Sequence, residues 1–136
     1  MPITQFRVSE VAALLGVSDD TVRRWADAGR LTLTRAAGGP ALVDGAQVAR
    51  LAQELAAEAA LHSAFPTSKA SARNRITGIV TKVTKDGVMA QVELQAGPFR
   101  LVSLMSREAA DELGLVPGSL AVASAKATTI VVEVPE

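Results

Sequence analysis

The chain has 136 residues, no net charge at pH 7 and no cysteine, so disulfides and thiolate metal sites are excluded. It contains no apolar run of about 18 residues that would span a membrane, and its N-terminus lacks the pattern of a signal peptide, so a cytoplasmic protein is predicted. Hydrophobic residues make up 49% and aromatic residues only 3%. Any core must therefore consist of Ala, Val and Leu, and since domains of about 60 residues are marginally stable alone, this composition favours an oligomer.

The first sixty residues have the pattern of helices around a short hairpin. A first helix is predicted behind an N-cap at Ser9 and ends at Gly16. A second helix is predicted for residues 19–28 behind the N-cap Ser18. The apolar face of this second helix consists of Val22, Trp25 and Ala26. The short interval between the two helices is typical of a helix-turn-helix.

A hairpin and a third helix complete the first domain, residues 1–61. Alternating residues predict short strands at 31–34 and 41–43, joined by a Gly-Gly-Pro turn. Asp44 with Gln47 predicts a capping box that opens the third helix, which extends to about Leu61. Residues 62–70 then lack periodicity and are predicted to be a linker.

A second domain is predicted for residues 71–136, where apolar residues alternate with polar ones at every second position. One short helix is predicted between the N-cap Ser106 and Gly114. Five strands are predicted, at 75–84, 88–94, 99–105, 120–126 and 129–134. These elements predict a small five-stranded OB-like β-barrel. The whole chain is thus expected to be α+β, with a helical domain followed by a barrel.

Several landmarks of the second domain occur in an order that is similar to one known family. They are Ser71-Ala72-Arg73-Asn74, Glu112-Leu113-Gly114-Leu115, Pro117-Gly118 and Lys126-Ala127-Thr128. Together they resemble the molbindin family, also called the Mop or TOBE domain. The resemblance implies a protein that binds molybdate or tungstate at sites between subunits, with six modules assembled as a trimer of dimers.

The residue types at these landmarks suit a tetrahedral dianion, which needs N–H and O–H donors and positive charge around it. Ser71 offers a hydroxyl, Arg73 and Lys126 offer cations, and Ser106 and Arg107 would lie at a helix N-terminus. The resemblance adds main-chain contacts beside Lys126. The predicted oxyanion-binding residues are Ser71, Ala72, Arg73, Asn74, Ser106, Arg107, Ala125, Lys126 and Ala127. Where some relatives carry a second hydroxyl, this chain has Ala109.

The first domain has a resemblance of its own. Residues 6–12 together with Thr21-Val22-Arg23-Arg24-Trp25 resemble the MerR and excisionase group of winged helix-turn-helix domains. The resemblance implies that the second helix enters the DNA major groove and that residues 31–43 form a wing. The predicted DNA-binding residues are Ser18, Thr21, Arg23, Arg24 and Arg35. Arginine suits guanine edges or phosphates, and Thr suits phosphates.

Charge leaves the function of the first domain open. Residues 1–62 carry six Lys/Arg against seven Asp/Glu, and residues 63–136 carry eight against seven, so neither half has the excess of a strong DNA binder. One hypothesis is a molybdate-responsive DNA-binding regulator. The alternatives are a molybdate storage protein whose helical domain serves assembly, and an adaptor that binds proteins only. Catalysis is not expected, because the chain has one His, no Cys and no phosphate-binding loop.

Overall fold

A computed structural model describes residues 3–59 and 70–135 of the chain. These residues form two compact units, one built from the N-terminal helices and one that ends at Val132. The predicted linker at 62–70 lies outside the described residues, apart from Ala70. None of the described helices is both long and apolar enough to cross a membrane. The predicted α+β class, with a helix-turn-helix region followed by an antiparallel β domain, is confirmed.

The described residues of the first unit form three helices and a three-stranded antiparallel sheet. Its elements are β1 (Gln5–Arg7), α1 (Val8–Leu15), α2 (Asp19–Asp27), β2 (Thr34–Arg35), β3 (Ala41–Asp44) and α3 (Gly45–Glu58). The strand order is β1-β3-β2. Strand β1 was not predicted, because three residues are too few to show an alternation; it forms by pairing with the distant β3, where Phe6 lies opposite Val43. The strand predicted at 31–34 is displaced to Thr34–Arg35.

The two helices of the helix-turn-helix begin and end at identifiable residues. The prediction of Ser9 as the first N-cap is wrong: Arg7 occupies that position, and its backbone N–H donates to the Glu10 carboxylate at 2.9 Å. Gly16 ends α1 in the left-handed region at φ 70°, as predicted. Ser18 is confirmed as the N-cap of α2, because its Oγ accepts the backbone N–H of Thr21 at 3.2 Å.

The capping box predicted for α3 is wrong, although Asp44 is the N-cap residue. The Gln47 side chain instead accepts the backbone N–H of Thr32 at 2.7 Å. That bond connects the first turn of α3 to the segment that leads into β2. Gln47 therefore bonds to Thr32, which is distant in the sequence, and not to the backbone of the nearby Asp44. The helix ends at Glu58, one residue of its predicted extension, Ala59, is an extended C-cap, and residues 60–61 lie outside the described residues.

The core of the first unit is small and aliphatic. It consists of Val8, Val11, Ala12, Val22, Leu31, Val43, Val48 and Leu51. Trp25 packs against this cluster and remains half-buried. The Arg30 guanidinium lies 6.0 Å from the centroid of its ring and pairs with Glu54 and Glu58 of α3 at 3.4 and 3.6 Å. Trp25 is therefore a packing residue, which ties the end of α2 to α3.

The second unit is a curled antiparallel sheet, a half-barrel. Its elements are β4 (Asn74–Lys85), β5 (Met89–Ala96), β6 (Phe99–Ser106), α4 (Arg107–Leu113) and β7 (Leu120–Ala125). The strand order is β6-β5-β4-β7, so β4 pairs with β5 along one edge and with β7 along the other. A bulge between Val80 and Lys82 lies within β4. Bulges increase local twist and bend the strand, which suits a sheet that curls.

The fifth predicted strand, residues 129–134, does not form within the single chain. A 3-10 turn at Ala127–Thr129 follows β7, and the Lys126 carbonyl accepts both the backbone N–H and the hydroxyl of Thr129 at 3.0 and 2.9 Å. Val131 and Val132 beyond it are 85% and 83% exposed. The alternating residues of this segment are typical of a strand, but a strand forms only where its backbone can hydrogen-bond to a neighbouring strand.

Gly78 is required by the close approach of β4 to β5. A Cβ at this position would lie 2.7 Å from the Gln95 carbonyl oxygen, a backbone atom that cannot move aside cheaply. We expect Gly78→Ala to destabilise the second unit by about 1–3 kcal/mol through overpacking, measured by chemical denaturation. Gly87→Ala is the matched control, because nothing lies within 4 Å of its added Cβ. Equal effects of the two substitutions would contradict the steric explanation.

Candidate functional sites

Pairing of β4 with β7 brings together seven of the nine residues predicted to bind an oxyanion. Asn74 lies opposite Ala125, and its Nδ2 donates to the Ala125 carbonyl at 3.2 Å. The segments 71–74 and 125–127 therefore meet where β4 begins and β7 ends. We call this place the β4–β7 corner, defined by Ser71, Ala72, Arg73, Asn74, Ala125, Lys126 and Ala127.

The β4–β7 corner carries cations without carboxylates. Arg73 turns its guanidinium back onto its own segment, donating to the carbonyls of Ala70 and Ser71 at 3.3 and 3.4 Å. Lys126 is exposed. Residues 70–81 and 116–132 contain no Asp or Glu, so no acidic side chain of either segment repels an anion. This is the electrostatic environment that a dianion requires.

Arg75 adds a cation beside the corner that the sequence analysis did not single out. It lies opposite Ser124 in the β4–β7 pair. Its Nε is buried and has no hydrogen-bond partner among the described residues. The family landmark ends at Asn74, and nothing in the local sequence indicates that this particular nitrogen is buried.

Ser106 and Arg107 lie at the opposite end of the sheet from the corner. Ser106 pairs with Met89 in β6–β5, and the neighbouring Ala90 pairs with Lys85, the last residue of β4. Asn74 is the first residue of that strand. A strand of this length has a contour of about 36 Å. One chain therefore does not bring all nine predicted residues to one place.

The helix end at Ser106 is confirmed as a cap, and its donors are partly occupied. Ser106 Oγ accepts the backbone N–H of Ala109 at 3.0 Å. The backbone N–H of Arg107 donates to the Val88 carbonyl at 2.7 Å, and its Nη1 donates to the Asp86 carbonyl at 3.0 Å. Glu108, Asp111 and Glu112 border the same surface cavity of about 460 Å³. This end of the sheet thus differs from the corner in carrying carboxylates.

The concave face of the half-barrel holds a larger cavity of about 650 Å³. Aliphatic side chains such as Leu94, Leu101 and Leu113 dominate its lining. Of the predicted oxyanion residues, Asn74 and Ala125 border it. A doubly charged anion loses too much hydration in an apolar cavity. The larger cavity is therefore unsuited to a dianion.

The residues predicted to bind DNA lie on α2 and on the hairpin. Thr21 Oγ1 lies 3.0 Å from Ser18 Oγ and accepts a hydrogen bond from Arg24 Nη2 at 3.0 Å. Arg23 is exposed and lies 3.6 Å from Asp20. Arg35, in β2, is exposed as well. The buried Val22 points into the core between these residues, so the polar side chains occupy the outer side of the helix.

A groove of about 470 Å³ separates α2 from the hairpin. We call it the arginine groove, because Arg7, Arg23 and Arg35 border it together. Asp19 and Asp27 also border it. Arg7 was missed by the sequence analysis, since its approach to Arg35 depends on both outer strands of the sheet pairing with β3.

Comparisons with known proteins agree with this architecture. Residues 70–132 match the TOBE domain family, and residues 6–56 match a helix-turn-helix domain family. A molybdate-binding protein from Sporomusa ovata is 32% identical over 48% of this chain and 98% of its own, with a TM-score of 0.47. MopII from Clostridium pasteurianum is 32% identical over the same shares, with a TM-score of 0.45.

A third solved structure is that of the cytoplasmic molybdate-binding protein ModG with molybdate bound. It is 36% identical over 54% of this chain and 51% of its own, with a TM-score of 0.47, so the chain spans about half the length of ModG. No curated protein matches the chain. A helix-turn-helix domain joined to a small antiparallel β domain defines the class of protein. Through that β domain, the chain belongs to the TOBE domain family.

The turn that holds Arg107 depends on an ionised Asp86. Its Oδ1 accepts the backbone N–H groups of Met89 and Val88 at 2.6 and 2.8 Å. These bonds, aided by the Arg107 charge, hold the pKa of Asp86 below its ordinary value of 3.8. The stabilisation is therefore present above about pH 3.8 and is lost as the pH falls through the lowered pKa.

We expect Asp86→Asn to be less stable than the wild type near neutral pH, with a difference that shrinks below pH 3.8. Thermal unfolding followed by circular dichroism at a series of pH values measures this. Asp27→Asn is the control, since the Asp27 carboxylate accepts no hydrogen bond from the described residues. A difference between Asp86→Asn and the wild type that stays constant with pH would contradict the assignment.

Proposed function

We propose that this protein binds molybdate or tungstate through its TOBE domain and acts as a DNA-binding transcriptional regulator that responds to the anion. The observation that carries the proposal is the β4–β7 corner, where two cations and a run of main-chain groups meet on carboxylate-free segments. The function is binding and not catalysis. A cytoplasmic location fits it, and the relative ModG is described as cytoplasmic.

The chemistry of the corner supports an oxyanion as the ligand. A tetrahedral dianion is stabilised by charge-assisted hydrogen bonds and by backbone N–H groups, which add no net charge of their own. Arg73 and Lys126 supply the charge, and Ser71 supplies a hydroxyl. Two relatives that are described as molybdate-binding, at 32% and 36% identity, support the choice of anion.

We propose further that the anion sites lie between subunits of a homo-oligomer. If Ser106 and Arg107 contribute to a site with the corner, they must come from a second copy, because within one chain they lie at the far end of β4. Large apolar side chains exposed on the second unit support such an assembly. They include Ile76, Ile79, Phe99, Val102, Leu104, Leu120 and Val122. A trimer of dimers is the arrangement that the family resemblance implies.

The helix-turn-helix supplies the proposed output. With Val22 and Trp25 used for packing, Arg23 and Arg24 remain on the outer side of α2 to contact bases or phosphates. In an oligomer, two helix-turn-helix domains can bind the same DNA, and the gain in avidity offsets the weak net charge of each domain. Because coupling between two binding sites is reciprocal, DNA must change the affinity for the anion by the same factor as the anion changes the affinity for DNA.

Storage of molybdate is the second candidate function, and the charge of the first unit favours it. Its described residues carry six arginines against seven carboxylates. The strand β3, which should form part of a wing, contains Ala41, Leu42 and Val43 where a basic cluster would help DNA binding. In that function the helical domain would serve assembly.

Lys126→Ala tests the anion site. We expect saturating molybdate to stabilise the wild type, by about 2.7 kcal/mol when molybdate is at about 100 times its Kd, and to stabilise Lys126→Ala much less, because a charge-assisted contact is lost. Thermal shift measurements with molybdate, and with sulfate as the control anion, provide the readout. Lys82→Ala is the control variant, since Lys82 is an exposed lysine of β4 away from the corner. A full molybdate shift in Lys126→Ala would remove this residue from the site.

Replacing Arg23 and Arg24 by Ala tests the DNA site. We expect this double variant to bind DNA from upstream of the gene more weakly by about 1–3 kcal/mol or more, while its stabilisation by molybdate stays unchanged. Fluorescence anisotropy measures the affinity, and Arg50→Ala on α3 is the control for loss of an exposed arginine. DNA affinity equal to that of the wild type would refute the assignment.

The same measurement separates the two candidate functions. DNA binding that changes with molybdate but not with sulfate would support the regulator. Absence of DNA binding with and without molybdate, together with a normal molybdate shift, would favour storage.

A further inference from the structure

We propose that Arg7 is a DNA-backbone contact, and that the arginine groove holds the sugar-phosphate strand lying between the recognition helix and the wing. The inference rests on the proposed DNA-binding function and adds to it a residue outside both the helix α2 and the hairpin. It assigns phosphate, and not a base edge, as the ligand of this groove.

The position of the groove points to the DNA backbone. If α2 lies in the major groove and the hairpin reaches the adjacent minor groove, the phosphate strand that separates the two grooves has to pass between these elements. The arginine groove lies at that place, with Arg23 on the α2 side and Arg35 on the hairpin side. Arg7, at the junction of β1 and α1, is the third arginine at its border.

Arg7 is available for such a contact because its structural role is carried by its backbone. Its N–H donates to the Glu10 carboxylate, and it lies opposite Leu42 in the sheet. Its side chain is exposed, and its guanidinium makes no hydrogen bond or ion pair with the described residues. Changing the side chain therefore leaves the helix cap and the strand pairing in place.

The charges around the groove allow a test in which two substitutions are expected to change DNA affinity in opposite directions. Arginine binds phosphate through short, charge-assisted hydrogen bonds, and each contact made to DNA releases about one counterion. Asp19 and Asp27 at the border of the groove oppose the phosphates. Removing an arginine should weaken binding and reduce its salt dependence, whereas removing a carboxylate should strengthen binding.

The experiment measures the salt dependence of binding to a fluorescently labelled duplex of mixed sequence, using the full chain. Raising the salt from about 50 to 200 mM weakens DNA binding by the wild type by some factor. For Arg7→Gln we expect this factor to be about threefold smaller, because the variant makes one phosphate contact fewer. Asp27→Asn should bind more tightly than the wild type at both salt concentrations. Arg50→Gln removes the same charge from α3, away from the groove, and should keep the wild-type salt dependence.

Each outcome decides a different claim. A wild-type salt dependence in Arg7→Gln, with DNA binding intact in the wild type, overturns this inference and leaves the proposed function standing. An equal reduction in Arg7→Gln and Arg50→Gln also overturns it, because the effect would then reflect net charge alone. Absence of DNA binding by the wild type at low salt overturns the inference together with DNA binding itself. If Arg7→Gln fails to fold, an unchanged or weakened affinity in Asp27→Asn overturns the groove as a phosphate site.

Discussion

The antiparallel pairing of β4 with β7 is the constraint on which the candidate anion site depends. Asn74 and Ala125 are 51 positions apart in the chain and become neighbours through this pairing, which their own hydrogen bond reinforces. Cations that are scattered in the sequence are thereby collected at one end of the sheet. The backbone pairing of Asn74 with Ala125 thus brings the segments that carry Arg73 and Lys126 to the same end of the sheet.

The two ends of the second unit differ in charge in a way that matters for assembly. The β4–β7 corner has cations on segments without carboxylates, whereas the end at α4 combines Arg107 with Asp111 and its acidic neighbours. In the proposed oligomer, the α4 end of one copy would meet the β4–β7 corner of another, because Ser106 and Arg107 are predicted to belong to the same anion site as the corner. The exposed apolar side chains between the ends would then supply most of the contact energy.

Local signals predicted the elements of this chain, and long-range pairings account for what they missed. Gly16 and Ser18 act within one turn of the chain, so both were found. Gln47 was misassigned because its partner, Thr32, belongs to another element. For the same reason, neither β1 nor the grouping of three arginines was predicted. The strand predicted at 129–134 does not form, because the sequence alone does not show whether a partner strand is available. Family landmarks predicted the residues of the corner, but no local signal indicates that Ser106 lies a full strand away.

The chain has one tryptophan and no tyrosine, and that tryptophan is Trp25, which packs against the core of the first unit. Its intrinsic fluorescence therefore reports on the helix-turn-helix alone, whereas backbone circular dichroism reports on both units. Because Arg30 lies over the ring and is held by Glu54 and Glu58, the emission is also sensitive to the junction of α2 with α3. An emission change that molybdate causes and sulfate does not would thus be an optical signal of communication between the two domains.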